Sequence, residues 1–244
     1  MKVAMLGGTK GMGRSLARLL TARGDSVCLL GRDRVNLDLS AEDLRSRGKS
    51  EVSVVSCDLQ KPYEFGAALD AAQQALGGLD CVVVTAAIFA TQEKLENDSA
   101  MTEKLLSLNF CNTILFCEEA RRLLLAGGGG TLCVFSSVAG ERARKGNVIY
   151  GATKAGLSAY LEGLDHRFRA QGLRTVCVKP GFVKTGMTAG LKPPPFSGEP
   201  DAVAPRVLRA IDKGKPVVYA PGIWAWIMFV VRHLPRTVMR RSGF

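Results

Sequence analysis

We predict an α/β fold for this chain, a single doubly wound domain in which about seven parallel strands form one sheet with helices on both faces. Short runs of four or five apolar residues alternate along the chain with longer stretches of helical spacing. Such runs are typical of strands that crossover helices bury on both faces. The 244 residues contain no Pro/Ser-rich linker, so we interpret residues 1–244 as one domain.

The apolar runs that we interpret as strands are short, rich in Val, Leu and Cys, and free of charged residues. They cover residues 3–6, 27–30, 52–56, 81–85, 132–136, 175–178 and 217–219. Between them, apolar residues at helical spacing predict helices that stop at or near a glycine. These helices cover residues 14–23, about 63–76, 103–126 and 150–170.

The composition excludes several classes of protein. Apolar residues make up 47% and charged residues 23% of the chain, which is typical of a folded globular protein. Seven cysteines without a Cys-x-x-Cys pair, and two histidines, argue against a disulfide framework and a metal site. The glycines from Gly7 onward leave no room for a signal peptide, and no apolar run is long enough to cross a bilayer. We therefore expect a cytoplasmic protein without a metal.

The chain is basic, with 33 Lys and Arg residues against 22 Asp and Glu residues and a net charge of +11. Either this charge belongs to a solvated surface, or it attracts an anionic partner. The basic residues are not interleaved with aromatic residues that stack on bases, and no nucleic-acid-binding motif is present. We therefore expect no nucleic-acid partner.

A glycine-rich turn, Gly-Gly-Thr-Lys-Gly-Met-Gly over residues 7–13, lies between the first predicted strand and the first predicted helix. Glycine lets the backbone turn sharply there and lets a pyrophosphate approach it closely. The N-terminus of the following helix offers free N–H groups and the positive end of a dipole. The turn predicts a dinucleotide site; the alternative is a structural turn without a ligand.

Charged residues that follow the second and third predicted strands indicate which dinucleotide binds. Arg32 stands where an acidic residue would bind a ribose 2′-OH, and Lys10 adds a second cation near the same ribose. These cations favour NADP(H) over NAD(H), because both can bind a 2′-phosphate. Asp33 is the exception, since its carboxylate could reach a 2′-OH. Asp58 either accepts a hydrogen bond from the adenine amino group or caps a turn.

Four polar residues between positions 109 and 154 suggest carbonyl chemistry. Tyr150 and Lys154 are four residues apart, which places both on one face of a helix. An ammonium group beside the phenol favours the phenolate, so that the tyrosine can exchange a proton with a ketone oxygen. Ser137, just past a predicted strand, could stabilise that oxygen. Asn109, in a predicted helix, could hold a water molecule for a proton relay.

In this order and spacing, the motifs resemble those of the short-chain dehydrogenase/reductase family over nearly the whole chain. The matching pieces are Gly7-x-x-x-Gly11-x-Gly13, Cys57-Asp58-Leu59, Asn109, Ser137, Tyr150-x-x-x-Lys154, and Pro180-Gly181 through Thr185. The resemblance implies a Rossmann-type fold and a nicotinamide cofactor. It also implies that Tyr150 is the acid/base, Lys154 binds the nicotinamide ribose and lowers the pKa of Tyr150, Ser137 orients the carbonyl and Asn109 supports the proton relay.

The same resemblance implies a set of cofactor contacts from the glycine turn to the segment after the sixth strand. They are Gly7, Thr9, Lys10, Gly11, Met12, Gly13, Arg32, Asp58, Leu59, Ala86, Tyr150, Lys154, Pro180, Gly181, Val183 and Thr185. The chain departs from the family pattern at Thr85-Ala86-Ala87, where Asn-Ala-Gly is usual. Thr85 can still form a hydrogen bond there, so we expect altered cofactor packing with activity retained.

A narrower resemblance suggests the substrate. Residues 139–157, 179–192, 213–221 and 228–236 are similar to reductases of the decaprenylphosphoryl-ribose 2′-epimerase system. This implies a keto-sugar linked to a polyprenyl phosphate, reduced with NADPH. Free lipid, steroid or acyl-carrier ketones are the enzymatic alternatives, and an NADP-binding scaffold subunit without activity is the non-enzymatic one.

Two segments outside these motifs bear on the substrate. The polar loop over 189–200, which contains three consecutive prolines, is a candidate lid or substrate wall, or else a plain surface loop. The segment 213–244 has six Lys and Arg residues without an acid, and nine consecutive apolar residues, 223–231, with both tryptophans. The apolar and basic stretch 223–241 could lie on the inner face of an anionic membrane. Alternatively, it packs on the pocket or on a partner subunit.

Oligomerisation is a further expectation that comes from the family resemblance. It implies a homodimer or homotetramer that associates through the predicted helices 103–126 and 150–170.

Overall fold

The computed structural model describes residues 1–48 and 50–241, so the last three residues of the predicted C-terminal segment lie outside the described residues. Seven strands form one sheet in the order β3-β2-β1-β4-β5-β6-β7, and every pair is parallel. The strands are β1 (Lys2–Leu6), β2 (Ser26–Gly31), β3 (Val52–Ser56), β4 (Cys81–Val84), β5 (Gly130–Phe135), β6 (Leu173–Pro180) and β7 (Val217–Ala220). The predicted fold is confirmed.

Helices cover both faces of the sheet. They are α1 (Gly11–Ala22), α2 (Arg34–Arg47), α3 (Phe65–Leu76), α4 (Gln92–Asn97), α5 (Ser99–Leu106), α6 (Thr113–Ala126), α7 (Val148–Phe168), α8 (Pro200–Lys213), α9 (Ile223–His233) and α10 (Arg236–Arg241). A π-helical turn, Ser107–Asn112, joins α5 to α6.

The alternation of side chains along each strand divides the core in two. In β1, Ala4 and Leu6 face a cluster that α3, α6 and α7 complete, whereas Val3 and Met5 face a cluster built with α1, α2 and α8. All four side chains are at most 2% exposed. This explains the uninterrupted apolar runs of the sequence, because a strand buried on both faces needs apolar residues at every position.

The predicted helices differ from the observed ones in extent and number. The helix predicted over 103–126 begins at Ser99 and contains the π-helical turn, and the helix predicted over 14–23 begins at Gly11. The prediction missed α2, α4, α8, α9 and α10. In α2 only four residues are buried among mainly polar ones, so its apolar stripe is too sparse to recognise.

The strand order reverses between β1 and β4, and this position determines where the site lies. β1 runs on to β2 and β3 on one side, whereas β4 leads to β5, β6 and β7 on the other. The connections that follow β1 and β4 therefore lead to opposite sides of this strand pair and leave a crevice at the carboxyl edge of the sheet. Ligands of open α/β sheets bind at such a switch point.

Candidate active site

The glycine turn after β1 leaves no space for larger side chains. Gly7 has φ +98°, and a Cβ atom there would lie 2.6 Å from the backbone nitrogen of Ala86. A Cβ atom at Gly13 would lie 2.4 Å from the carbonyl oxygen of Gly7. Thr85 donates a hydrogen bond from Oγ1 to that oxygen at 2.8 Å. Thr85 thus connects the loops after β1 and β4. The sequence predicted that this residue, which stands where Asn is usual in the family, would still form a hydrogen bond.

The N-terminus of α1 fits a phosphate group. Lys10 is in the N-cap position without a side-chain capping hydrogen bond, and the first turn contains no acidic residue. The first N–H groups of the helix therefore point into the crevice without a protein acceptor. Together with the tight glycine backbone, they form a cradle of the kind that binds a dinucleotide pyrophosphate.

A cavity of about 270 Å³ extends from the glycine turn across the ends of β2 and β3. Lys10 and Arg32 line it and are exposed at its mouth. Asp33 caps α2, since the backbone N–H of Asn36 donates to its Oδ1 at 3.0 Å and the Asn36 side-chain amide donates to its Oδ2. These bonds, together with the nearby Lys10 charge, lower the pKa of Asp33. The Asp33 carboxylate is thus already engaged in capping the helix.

Asp58 and Leu59 line the same cavity beyond β3. The backbone N–H of Gln60 donates to Asp58 Oδ1 at 3.0 Å, so the carboxylate caps a turn. Asp58 also faces the cavity, and its two alternative roles are therefore compatible. Gly7, Thr9 and Ala86, three further expected contacts, complete the lining between this cavity and the switch point.

A second cavity, of about 500 Å³, lies over the ends of β4, β5 and β6. Thr185 lies directly beside the glycine turn, because a Cβ atom at Gly11 would lie 3.2 Å from its methyl group. The cavity brings together the expected residues of the two halves of the chain. They are Met12, Ser137, Tyr150, Lys154, Pro180, Gly181, Val183 and Thr185.

Tyr150 projects into this second cavity from the first turn of α7. Burial raises the pKa of its phenol to about 12, although a hydrogen bond with Ser137 acts in the opposite direction. The ring of Phe89 packs edge-on against the tyrosine, with 5.2 Å between the ring centroids. The phenol is therefore neutral at pH 7 and able to donate a proton.

Lys154 lies one helical turn after Tyr150, with its ammonium group held below the tyrosine ring. Its side chain is buried, and Nζ donates to the carbonyl oxygen of Phe135 at 2.9 Å. Nζ is 5.8 Å from the centroid of the Tyr150 ring. Burial lowers the pKa of Lys154 to about 8. Burial raises the pKa of Tyr150 and the Ser137 hydrogen bond lowers it, and the effect of Lys154 that the resemblance implies stays a prediction.

Ser137 and Asn109 hold the backbone around the cavity. Ser137 Oγ accepts a hydrogen bond from the backbone N–H of Ala139 at 3.1 Å, and the same side chain forms the hydrogen bond with Tyr150. Asn109 is buried in the π-helical turn, where its Oδ1 accepts from the backbone N–H of Ile88 at 2.8 Å and its Nδ2 donates to Ile88 O at 2.7 Å. Asn109 thus fixes the segment after β4 beside the cavity. Its part in a proton relay stays a prediction.

The wall of the second cavity farthest from the glycine turn is largely apolar. From the segment 189–200, Leu191, Lys192 and Pro194 line it, so this loop forms part of the cavity wall. Arg144 adds another cation, and no Asp or Glu of the described residues lines the cavity. The apolar side chains are those of Phe89, Val138, Phe182, Met187, Leu191 and Trp224.

Trp224 lines the cavity, in line with the alternative that the segment 223–241 packs on the pocket. A Cβ atom at Gly181 would lie 2.0 Å from the indole nitrogen, so Trp224 packs directly on the segment after β6. Its Nε1 donates to the carbonyl oxygen of Phe196 at 3.3 Å. Trp224, Met228 and Val231 form the buried face of α9. This i, i+4, i+7 spacing could have indicated from the sequence that Trp224 lies on the buried face and Trp226 on the exposed face.

The family model described as short chain dehydrogenase matches residues 2–195. The chain belongs to the short-chain dehydrogenase/reductase family. Members of this family typically bind a nicotinamide cofactor, and the glycine cradle and the two adjoining cavities fit such a cofactor.

Curated relatives of this short-chain dehydrogenase are oxidoreductases. An uncharacterized oxidoreductase of Mycobacterium tuberculosis is 32% identical over 239 residues, which cover 98% of this chain and 96% of that protein. An uncharacterized oxidoreductase of Streptomyces coelicolor is 34% identical over 242 residues, covering 97% of this chain and 94% of that protein. Carbonyl reductase family member 4 of Xenopus laevis is 30% identical over 217 residues, covering 86% and 90%.

Solved structures have the same fold. A short-chain type dehydrogenase/reductase from Mycobacterium ulcerans superposes with a TM-score of 0.82 at 22% identity, covering 98% of this chain and 97% of that one. Another short chain dehydrogenase/reductase family protein gives a TM-score of 0.78 at 27% identity, covering 92% and 100%.

Proposed function

We propose that this short-chain dehydrogenase reduces a ketone to a secondary alcohol with NADPH as the hydride donor. The observation that carries the proposal is the convergence of Ser137, Tyr150 and Lys154 in one cavity that opens beside the glycine cradle. The printed name of the Xenopus laevis relative, a carbonyl reductase, supports the same reaction class.

When bound, the reduced nicotinamide supplies a hydride to the carbonyl carbon. Ser137 donates its hydroxyl hydrogen bond to the carbonyl oxygen and so stabilises the charge that develops there. Tyr150 gives its phenolic proton to the same oxygen. Lys154 is held by Phe135 O close to the tyrosine ring, where its charge stabilises the phenolate that remains.

The pKa values favour reduction at neutral pH. Because the pKa of Tyr150 is about 12, the phenol carries its proton at pH 7 and acts as the general acid. The reverse reaction, oxidation of the alcohol, needs the phenolate and therefore becomes faster as the pH rises. Asn109 is the fourth residue of the proposed catalytic site. It fixes the backbone at Ile88 and supports proton resupply.

A preference for NADPH over NADH follows from the first cavity. Lys10 and Arg32 provide two exposed cations near the position expected for the adenosine ribose. Asp33, the one acidic residue that could have favoured a 2′-OH, is committed to capping α2. A 2′-phosphate would therefore meet two cations there.

The lining of the second cavity suggests a substrate with both apolar and anionic parts. Apolar side chains dominate its outer wall, and Arg144 and Lys192 bring positive charge to it. A keto-sugar linked to a polyprenyl phosphate has this character, and the similarity in the second half of the chain supports it. Free lipid, steroid and acyl-carrier ketones remain the competing substrates.

Oligomerisation through the faces of α6 and α7 is also proposed, on the family resemblance. Sedimentation equilibrium of the purified protein distinguishes a dimer or tetramer from a monomer, and a monomer at micromolar concentration would contradict the proposal.

The test is NADPH oxidation by the purified protein with a panel of ketones. The panel contains a polyprenyl-phosphoryl 2-keto-pentose, a long-chain 3-ketoacyl thioester and a steroid ketone. Turnover of the first alone supports the lipid-linked sugar. Turnover of either other compound keeps the reductase and rejects the sugar. Tight NADPH binding with no turnover of any ketone favours the scaffold subunit and contradicts the proposed reaction.

A further inference from the structure

Helix α9 has one buried face and one exposed apolar face. The buried face, Trp224, Met228 and Val231, packs against the domain. On the opposite side, spaced three or four residues apart, large apolar side chains are turned to solvent, with Trp226 73% exposed. They are Ile223, Trp226, Phe229 and Val230. Single exposed apolar residues are common, but a contiguous group on one helix face marks an interaction surface.

The charged residues of the segment that carries this face are all basic. Arg236, Arg240 and Arg241 of the following helix α10 are exposed, and residues 213–241 contain no Asp or Glu. We define the C-terminal surface as the four exposed apolar residues of α9 together with these three arginines. Tryptophan beside arginine is typical of a helix that lies in the interface of an anionic bilayer.

A second copy of this chain fits the C-terminal surface poorly. In a two-fold interface the same patch meets itself, so the three arginines would face the arginines of the partner without an acid from this segment. The net charge of +11 adds long-range repulsion between copies. An anionic lipid surface offers the opposite charge and buries the same apolar side chains. Charge complementarity therefore selects the bilayer as the occupant.

Helix α9, which carries the apolar part of the C-terminal surface, also lines the second cavity. Trp224, on the buried face of α9, lines that cavity and donates to the backbone of Phe196 in the loop over 189–200. Phe196 is itself exposed beside the cavity. Arg142, from the loop after β5, donates to Leu234 O at 2.7 Å and fixes the end of α9 to the catalytic side of the domain. Helix α9 thus lines the cavity with one face and exposes the other face to solvent.

We propose that the C-terminal surface docks this protein on an anionic bilayer, with α9 parallel to the membrane plane and the catalytic cavity open toward the lipid. No helix of the described residues is long and apolar enough to cross a membrane, and α9 has eleven residues. In this arrangement a substrate with a long apolar chain enters the cavity from the bilayer without exposing that chain to water. The docking itself does not depend on the proposed reaction.

Vesicle co-sedimentation tests the docking without measuring turnover. The full chain is mixed with vesicles of phosphatidylcholine containing roughly one third phosphatidylglycerol, and separately with pure phosphatidylcholine vesicles. We expect the protein to pellet with the anionic vesicles, to bind neutral vesicles at least about tenfold more weakly, and to be released by about 1 M salt. Equal binding to both vesicles, or binding to neither, overturns the proposal.

Variants identify the surface that binds the vesicles. The double variant Trp226→Ser/Phe229→Ser removes two exposed side chains and should weaken binding to anionic vesicles at least about tenfold. The matched control is Leu39→Ser/Tyr63→Ser, which removes two similarly exposed apolar side chains far from α9 and should bind like the wild type. Circular dichroism and NADPH fluorescence check that both variants are folded. Unchanged vesicle binding by the first variant, or equal loss by the control, overturns the assignment.

A second copy is the rival occupant, and sedimentation equilibrium detects it. The proposal requires the wild type and Trp226→Ser/Phe229→Ser to have the same mass in solution. A wild-type oligomer that dissociates in this variant shows that another copy covers the surface, and the proposal then fails. Failure of NADPH turnover alongside normal vesicle binding would contradict the proposed function and leave the docking intact.

Discussion

Glu141 connects three elements around the catalytic loop, and its removal should strongly destabilise the protein. Its side chain is 4% exposed. It accepts a hydrogen bond from Lys179 of β6, another from the Tyr219 hydroxyl of β7 at 2.9 Å, and lies 3.6 Å from Arg232 of α9. Ser137 lies four residues before Glu141 in the same loop. This carboxylate therefore ties the segment that carries Ser137 to the C-terminal half of the sheet.

The perturbation is Glu141→Gln, which keeps the shape of the side chain and removes its charge. Lys179 is only 14% exposed, so its ammonium would remain largely buried without a neutralising partner. Removing one partner of a buried ion pair costs about 3 to 5 kcal/mol of unfolding free energy. Tyr219→Phe serves as the control, because it deletes one hydrogen bond to the same carboxylate and should cost about 1.5 to 3 kcal/mol.

Urea unfolding, followed by circular dichroism, measures both losses. For a slope of about 3 kcal/mol per M, Glu141→Gln should lower the unfolding midpoint by about 1 to 2 M without changing the slope. Adding Lys179→Met should recover part of the loss, because the uncompensated charge is then gone. A loss below about 1 kcal/mol for Glu141→Gln, or no recovery in the double variant, would refute this account of the cluster.

Three further predictions concern Gly13 and Arg32 of the expected cofactor site and the buried Lys154. Gly13→Ala should abolish NADPH binding measured by fluorescence titration, because its Cβ would lie 2.4 Å from Gly7 O; retained affinity would contradict the close packing of the turn. Arg32→Asp should weaken NADPH roughly 10- to 100-fold and leave NADH little changed; equal losses would argue against a 2′-phosphate site. On folding, the pKa of Lys154 falls from 10.5 to about 8, so between these pH values the unfolded chain binds more protons than the folded one. The stability of the wild type relative to Lys154→Met should therefore rise with pH by about 3 kcal/mol over this range in urea titrations, and a flat difference would contradict the burial of the ammonium.

The parallel sheet and the glycine turn after its first strand follow from features that a sequence displays directly. Apolar residues at consecutive positions, as in Ala4 to Leu6, occur because both faces of the central strands are covered. The glycines of the cofactor turn are equally visible, since the close approach of Gly7 and Gly13 excludes any side chain. Local patterns of this kind predict both the fold and the residues of the glycine cradle.

Other features depend on contacts between distant segments and are not visible in a local pattern. Trp224 and Trp226 lie in one unbroken apolar run, and only the packing of α9 on Gly181 separates the buried residue from the exposed one. The capping role of Asp33 depends on how α2 begins. The high pKa of Tyr150 results from burial by the surrounding elements, which outweighs the hydrogen bond with Ser137.

The central claim is that Tyr150 is the proton donor in an NADPH-dependent ketone reduction. The most direct measurement compares the wild type with Tyr150→Phe in NADPH oxidation with a ketone that the wild type reduces, alongside NADPH binding by fluorescence. We predict that turnover falls at least about 100-fold while NADPH affinity stays within a factor of about two, since only the proton donor is lost. A Tyr150→Phe variant that keeps most of its turnover would contradict the assignment.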